Sequence, residues 1–178
     1  TDQTGLLVID VQDRLMSAMP EDPTPDFLKH NRLLVSLADD MGAPVVYTEQ
    51  YPEGLGTTEE SLADTLHQAG ASRIEKTQFD ACSAADSDAI EGLPDDVIVT
   101  GIEAHICVLS TARSLVDAGH RVVVPFDAVL SRREPYLNNG LELLRQAGVQ
   151  VANTETILYD TLGDAGHEHF KKYSRLIR

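Results

Sequence analysis

Three side chains of this sequence have the types and settings that nucleophilic chemistry needs. Cys107 falls on the first turn of a predicted helix after a buried strand, where free backbone N–H groups and the helix dipole favour an anion. We therefore expect its thiol to ionise easily and to act as a nucleophile. Asp10 interrupts an apolar segment, where a carboxylate needs a partner. Lys76 ends the segment Arg73–Lys76 and is one of only four lysines in the chain, so its place at a strand end makes it a candidate.

Each of these residues also has a purely structural interpretation. A single cysteine is commonly buried in a core, Asp10 could cap a neighbouring loop, and Lys76 could be a solvated strand-end lysine. Cys82 lacks the setting of Cys107, and we expect it to be structural. His105 is a candidate base for Cys107, but residues two positions apart on a helix point to different faces, so we expect it not to reach the sulfur.

No pattern in the sequence would hold a metal or a nucleotide. His167 and His169 fall on a polar tail, and the other histidines lie on or after helices without clustered carboxylates. The chain contains no Walker or dinucleotide-binding pattern, and the Gly54–Gly56 segment has no phosphate-binding context. We predict no metal and no cofactor.

The composition limits the partners and the compartment. The 178 residues, 42% of them hydrophobic, suffice for one domain spanning 1–178. The formal net charge of -15 argues against nucleic acid and anionic membranes as partners, because both recruit Lys and Arg. No apolar run approaches the roughly 20 residues needed to cross a bilayer, and the first residues do not read as a signal peptide. Two cysteines are too few for a disulfide scaffold, so we expect a cytoplasmic protein with reduced thiols.

Short β-branched runs alternate with segments of helical spacing, which predicts an α/β fold. Strands that are apolar throughout are typical of a sheet covered on both faces. We predict a single-domain, three-layer α/β/α architecture whose six-stranded, mostly parallel sheet has the order 3-2-1-4-5-6. The predicted strands are Gly5–Val11, Pro44–Thr48, Ser72–Lys76, Asp96–Gly101, Arg121–Phe126 and Val149–Asn153. Helices are predicted at about 24–42, 57–70, 84–92, 105–118 and 134–147, followed by a less regular helical tail.

Ligands of open sheets bind beyond the carboxyl ends of the strands, where the strand order reverses. In the predicted order, strands one and four flank this point, so Asp10 and Cys107 should lie side by side. Loops at the same edge provide the predicted substrate-pocket residues, which are Glu49, Gln50, Tyr51 and Phe79.

Three segments in order along the chain resemble the isochorismatase-like cysteine hydrolases. They are LLVIDVQ at 6–12, EKTQFDAC at 75–82 and VTGIEAHICVLSTA at 99–112. The resemblance implies a catalytic triad of Asp10, Lys76 and Cys107. TEQYPEGLG at 48–56 and GIEAHICVL at 101–109 are similar to the branch of the isochorismatase domain-containing proteins.

The resemblance has further implications for the site. The nicotinamidase branch carries an Asp and two His as metal ligands after the second strand, whereas this chain has Glu49, Gln50 and Tyr51 there, which counts against metal binding and nicotinamidase activity. A cis peptide bond is implied at Ile102–Glu103, with the N–H groups of Glu103 and Cys107 forming an oxyanion hole. A homo-oligomer, a dimer or larger, is also implied.

These observations predict a cysteine-dependent hydrolase that acts on an unidentified small molecule. Asp10 would accept the Cys107 proton, Lys76 would stabilise the thiolate and orient Asp10, and the sulfur would attack a carbonyl or similar carbon. An amide C–N bond is the natural target, although relatives cleave other bonds. The alternatives are a non-catalytic binding or scaffold protein that retains the fold and a nicotinamidase-type amidase. A thiol oxidoreductase is less favoured, because Cys82 and Cys107 form no C-x-x-C motif.

Overall fold

A parallel β-sheet forms the centre of the structure, a computed structural model that describes residues 4–178. Its strands are β1 (Thr4–Ile9), β2 (Val45–Gln50), β3 (Ser72–Lys76), β4 (Asp96–Ile102), β5 (Arg121–Pro125), β6 (Val129–Leu130) and β7 (Gln150–Ala152). They follow the order β3-β2-β1-β4-β5-β7, and the two-residue strand β6 pairs in parallel with the end of β4. The predicted order is confirmed, with β7 as the sixth strand and β6 as an addition. The predicted domain 1–178 and the signal-peptide prediction include residues 1–3, which lie outside the described range.

Helices connect the strands and cover both faces of the sheet. They are α1 (Asp13–Met16), α2 (Thr24–Asp40), α3 (Pro52–Leu55), α4 (Glu60–Gln68), α5 (Asp88–Glu91), α6 (Leu109–Asp117), α7 (Glu134–Gln146), α8 (Thr154–Leu162) and α9 (Phe170–Leu176). A 3-10 turn at Ala81–Ser83 and a π-helical turn at Ala104–Val108 complete the set in the described range. Across residues 4–178, no helix has both the length and the apolar character that a membrane crossing requires.

Alternate residues of β1 point into two different hydrophobic cores. Leu7 and Ile9 belong to the core that α6 and α7 cover, whereas Leu6 and Val8 belong to the core that α2 and α4 cover. Burial on both faces explains why this strand is apolar without alternation. The three-layer α/β/α architecture predicted from the sequence is therefore confirmed.

Some predicted boundaries differ from the structure. The first strand ends at Ile9 and not at Val11, because Asp10 adopts a left-handed conformation with φ of 50°. The second strand runs on to Gln50, two residues beyond its predicted end. The helix predicted from 105 begins instead as the π-helical turn and becomes α-helical at Leu109. The helix predicted over 84–92 shortens to Asp88–Glu91.

Two glycines allow the backbone to pack closely around the end of β4. Gly101 has φ of 108°, and a Cβ there would collide with the backbone of Ile9 on the neighbouring strand. Gly140 lies on α7, where a Cβ would come within 2.9 Å of the His105 nitrogen in the π-helical turn. The absence of side chains at these positions lets the ends of β1 and β4 and the turn that bears Cys107 lie close together.

Candidate active site

The Asp10 carboxylate is the buried centre of the site. Asp10 follows β1, and its side chain has no exposed surface. The Thr48 hydroxyl, within β2, donates to Asp10 Oδ1 at 2.6 Å, and Lys76 Nζ lies 2.6 Å from Asp10 Oδ2. Each carboxylate oxygen therefore has one strong donor, which fixes the plane of the carboxylate and leaves it further acceptor capacity.

Lys76 reaches Asp10 from the end of β3, across the intervening strand β2. Its ammonium donates to Asp10 Oδ2 at 2.6 Å, to Gln50 Oε1 at 2.7 Å and to the Gln78 carbonyl at 3.2 Å. An ammonium has three donors, so these contacts use all of them. The Lys76 side chain is also completely buried. This cation can balance charge and orient Asp10, but it has no N–H left for a ligand.

Cys107 lies in the π-helical turn, next to the buried ion pair. Burial raises the pKa of its thiol to about 12, and the negative charge of Asp10 acts in the same direction. The positive charge of Lys76 lowers that pKa, whereas the Asp10 carboxylate, as hydrogen-bond acceptor for the thiol, and the Glu103 charge raise it further. The three residues of the predicted triad are thus brought together. The prediction that the Cys107 thiol ionises easily is wrong, because burial and the Asp10 carboxylate outweigh the positive charge of Lys76.

This arrangement can carry a proton transfer. A thiol with so high a pKa is protonated at neutral pH, so it can attack an electrophile only if a base removes its proton. The Asp10 carboxylate is such a base, and its own charge is balanced by Lys76. A buried thiol beside a buried, oriented base is the arrangement that an activated cysteine nucleophile requires.

The cis peptide bond that the resemblance implied is present in the turn between β4 and Cys107. The Ile102–Glu103 peptide bond is cis. The Glu103 carboxylate accepts a hydrogen bond from the Arg132 N–H at 3.1 Å, and the Arg132 Nε lies 3.6 Å from the same oxygen. These contacts tie the turn to the loop after β6.

His105 is directed away from the thiol. Its Nδ1 pairs with the Ser131 hydroxyl at 2.9 Å, and its ring lies 5.0 Å from the ring of Tyr136. Burial lowers the pKa of His105, so the neutral imidazole is favoured. This position agrees with the expectation that His105 does not serve as the base for Cys107.

Both the sequence and the fold of this chain are similar to those of known proteins. Residues 4–156 match the family described as Isochorismatase domain. Isochorismatase domain-containing protein 2 of Xenopus laevis is 33% identical over 156 residues, which cover 86% of this chain and 74% of the relative. The secreted isochorismatase effector Isc1 of Phytophthora sojae is 32% identical over 177 residues, covering 97% of this chain and 83% of the relative. The solved structure of the MAR1 ribonuclease from Caenorhabditis elegans superposes with a TM-score of 0.87 at 31% identity, covering 98% of this chain and 89% of that one.

The chain belongs to the isochorismatase family. The matched range contains all three segments that resemble the family and extends over most of the α/β domain that carries them. The fold of this family member places Asp10, Lys76 and Cys107 at the carboxyl edge of the sheet, where β1 and β4 adjoin.

Of the predicted pocket residues, the structure brings Gln50 to the ion pair and leaves two aromatic residues exposed. Tyr51 is 54% exposed and has φ of 37°, and Phe79 is 61% exposed. Tyr51 and Lys76 are among the residues that line a shallow cavity of about 250 Å3 at this edge. A second cavity, of about 260 Å3, opens at the start of β1 and β4 and is therefore remote from the triad.

Glu49 does not belong with the other pocket residues. Its side chain is buried, and its Oε1 accepts hydrogen bonds from the Thr58 N–H and hydroxyl, both at 2.7 Å. The Arg73 guanidinium donates twice to Oε2, at 2.8 and 2.6 Å. Successive residues of a strand point to opposite faces, so Glu49 is directed away from the face on which Thr48 and Gln50 contact the ion pair. Its role in this isochorismatase-family chain is to hold the loop that contains Thr58.

Two residues that support the site were not predicted from the sequence. Thr48 donates to Asp10. Because β2 extends to Gln50, Thr48 and Gln50 lie on the same face of this strand, which a predicted strand end at Thr48 does not reveal. Gln12 is fully buried two residues after Asp10, and a polar residue so close to an apolar strand was its only signal. Within residues 4–178, no group of three or more His, Cys, Asp or Glu side chains is arranged to hold a metal ion.

Proposed function

We propose that this protein is a cysteine-dependent hydrolase of a small molecule, with Cys107 as nucleophile, Asp10 as proton acceptor and donor, and Lys76 as the balancing cation. The observation that carries the proposal is the fully buried Lys76–Asp10 ion pair beside a buried thiol. Burying two charges carries a desolvation penalty that the attraction between them does not reliably offset. Activation of the adjacent Cys107 sulfur would explain why this chain has a buried ion pair at this position.

The proposed reaction proceeds through a covalent intermediate. Asp10 takes the proton of Cys107, and the sulfur forms a bond to a carbonyl or similar carbon of the substrate. The N–H groups of Glu103 and Cys107 are the proposed donors to the developing oxyanion. Asp10 then returns the proton to the leaving group as the substrate bond breaks. Water attacks the intermediate, Asp10 accepts a water proton, and the Cys107 thiol is restored as the product acid departs.

An amide C–N bond is the proposed target, and the exposed side chains at the edge of the site set the pocket. Gln50 contacts the ion pair, so its place is at the base of the pocket, while Tyr51 and Phe79 offer apolar surface at its rim. We propose that these two aromatic residues also lie near the contacts of a homo-oligomer, because both remain exposed in a single chain. Measurement of the solution mass by light scattering, with Phe79→Ser as the variant, tests this part of the proposal.

The other readings have less support. A nicotinamidase-type amidase would need metal ligands near the end of β2, but the Glu49 carboxylate there already accepts hydrogen bonds from Thr58 and Arg73. A ribonuclease activity, suggested by the name of the Caenorhabditis elegans protein, would need positive charge for the phosphates, and this chain has a net charge of -15. A scaffold protein would have no use for a buried cation, carboxylate and thiol together. The reduced Cys82 and Cys107 fit the proposed cytoplasmic location.

The proposal is tested by turnover on a panel of small amides, ureas and vinyl ethers. Wild type, Cys107→Ala and Cys82→Ala are compared, with Cys82→Ala as the matched control because Cys82 has no contact with the ion pair. We expect hydrolysis by wild type and Cys82→Ala, and none by Cys107→Ala. Equal hydrolysis by all three proteins would refute a role for the Cys107 sulfur.

A further inference from the structure

Gln12 is a buried polar residue to which the proposed reaction gives no role. Its side chain makes three hydrogen bonds, all to backbone atoms of the segment Gln50–Gly56. Nε2 donates to the Gln50 carbonyl at 3.0 Å and to the Gly56 carbonyl at 2.6 Å. Oε1 accepts from the Gln50 N–H at 2.7 Å. One amide group therefore holds both ends of a seven-residue segment.

The held segment needs such support because little of it is regular structure. It begins at the end of β2, passes through Tyr51 at a positive φ and contains the single helical turn α3. A non-glycine residue at positive φ persists only where surrounding contacts enforce it. The Gln12 N–H also donates to the Asp10 carbonyl at 2.8 Å, so the same residue sets the turn that follows Asp10.

Gln50 links this segment directly to Lys76. Gln12 fixes the backbone of Gln50 through both its N–H and its carbonyl. The Gln50 side chain in turn accepts from Lys76 Nζ at 2.7 Å and donates to the Thr77 carbonyl at 2.6 Å. If the backbone of Gln50 moved, Lys76 would lose one of its acceptors and the fixed direction of its N–H toward Asp10.

We infer that Gln12 is a positioning residue of the active site, which acts through Gln50 to align the Lys76 ammonium with Asp10. This inference rests on the proposed function, in which Asp10 and Lys76 together activate Cys107. It predicts that Gln12 and Gln50 are energetically coupled, although the Gln12 side chain touches none of the reacting groups.

The test measures alkylation of Cys107 by iodoacetamide at neutral pH, in a Cys82→Ala background so that a single thiol reacts. The variants are Gln12→Met, Gln50→Met and the double variant. Gln12→Glu is added because it retains an acceptor for the Gln50 N–H, replaces the donor to the two carbonyls with an oxygen and introduces an ionisable carboxyl group. Thr58→Val is the matched control, since it removes a hydrogen bond to Glu49, the strand neighbour of Gln50, and leaves the hydrogen bonds between Gln12 and Gln50 in place. Thermal unfolding of every variant records the loss of stability separately.

We expect each single variant at Gln12 or Gln50 to slow alkylation by about 10- to 100-fold, because small displacements of activating groups have effects of that size. The double variant should react at most about twofold more slowly than the slower of the two single variants. Such a non-additive loss indicates that the two residues act through one chain of contacts. Thr58→Val should lower the unfolding temperature and leave the alkylation rate unchanged.

Two results would overturn the inference. One is a Gln12→Met or Gln12→Glu variant that alkylates as fast as Thr58→Val, and the other is a double variant whose loss is the product of the single losses. An Asp10→Asn variant distinguishes this failure from failure of the proposed function. If Asp10→Asn leaves the pH profile of alkylation unchanged, the activation of Cys107 by Asp10 is itself wrong. If Asp10→Asn changes the profile and the Gln12 variants leave the rate unchanged, only the role of Gln12 is wrong.

Discussion

Lys76 Nζ lies 2.6 Å from Asp10 Oδ2 at a place where neither side chain is exposed. A buried ion pair contributes little net stability compared with a well-packed apolar pair, but breaking it leaves an uncompensated charge in the interior. Here the pair adjoins Cys107, whose thiol has a pKa raised to about 12 by burial and by Asp10. The carboxylate thus both disfavours a free thiolate and offers a nearby acceptor for the thiol proton. The reactivity of Cys107 and its dependence on pH should therefore differ from those of an isolated cysteine.

The first prediction concerns the pH dependence of Cys107 alkylation. An ordinary thiol below its pKa reacts about tenfold faster for each added pH unit, because the thiolate fraction grows by that factor. If Asp10 accepts the Cys107 proton as the sulfur attacks, the reaction does not require a free thiolate, so its rate does not follow the thiolate fraction. We expect the alkylation rate of wild type to change by less than about twofold between about pH 6 and about pH 9. The rate is measured with iodoacetamide in the Cys82→Ala background.

Asp10→Asn is the control for this measurement. It removes the acceptor, so the alkylation rate should again rise about tenfold for each pH unit. It also removes a negative charge that raises the pKa of Cys107, so the rise should level off at a lower pH than the wild-type pKa of about 12. A wild-type rate that climbs steeply through neutral pH would show that Asp10 does not accept the thiol proton during the attack.

The second prediction concerns the loss of the cation. Lys76→Met leaves the Asp10 carboxylate buried without its partner, and we expect a loss of about 3–5 kcal/mol in the free energy of unfolding. The variant should also alkylate more slowly at Cys107, since the Lys76 charge lowers the pKa of that thiol. Urea unfolding at pH 7 measures the stability. The double variant Asp10→Asn with Lys76→Met contains no unpaired charge and should recover much of the lost free energy of unfolding. If the double variant is as unstable as Lys76→Met alone, this explanation is wrong.

The sequence predicted the position of the site better than its internal contacts. The predicted order of the six strands was enough to place Asp10 and Cys107 side by side, because that placement depends on topology alone. The role of Glu49 depended on where β2 ends. A strand ending at Thr48 puts Glu49 in a loop, whereas the observed strand to Gln50 turns it to the opposite face. The high pKa of Cys107 could not be predicted, because it arises from burial by residues distant in sequence.

The third prediction concerns Thr48, which donates to Asp10 Oδ1 at 2.6 Å. Thr48→Val keeps the shape of the side chain and removes the donor, which leaves a buried carboxylate oxygen without its hydrogen bond. Hydrogen bonds to charged groups contribute about 1.5–3 kcal/mol, so we expect a loss of that order in the free energy of unfolding. Turnover should fall by about 10- to 100-fold because the carboxylate is no longer held in one plane. Thr48→Ser retains the hydroxyl and should remain close to wild type; equal defects in the two variants would assign the effect to packing.

The fourth prediction concerns acid stability and Glu49. Burial acts to raise the pKa of Glu49, but the hydrogen bonds from Thr58 and the Arg73 guanidinium outweigh it, so the pKa lies below its ordinary value. A carboxyl whose pKa is lower in the folded state stabilises the fold above its unfolded pKa of about 4.3, and this contribution is lost as the pH falls through the folded pKa. Glu49→Gln should therefore be less stable than wild type at pH 7 and should lose less stability on acidification.

Glu75→Gln is the control that distinguishes the buried Glu49–Arg73 contact from the exposed contact between Glu75 and the same guanidinium. Glu75 also lies close to the Arg73 guanidinium, at 2.7 Å, but its side chain is 51% exposed, and exposed pairs contribute little. Urea unfolding as a function of pH should give parallel curves for Glu75→Gln and wild type, whereas the curve for Glu49→Gln should approach the wild-type curve as the pH falls. If Glu49→Gln instead stays parallel to wild type through the acid range, its carboxylate contributes nothing that depends on ionisation, and the loop that contains Thr58 is held by packing and neutral hydrogen bonds alone.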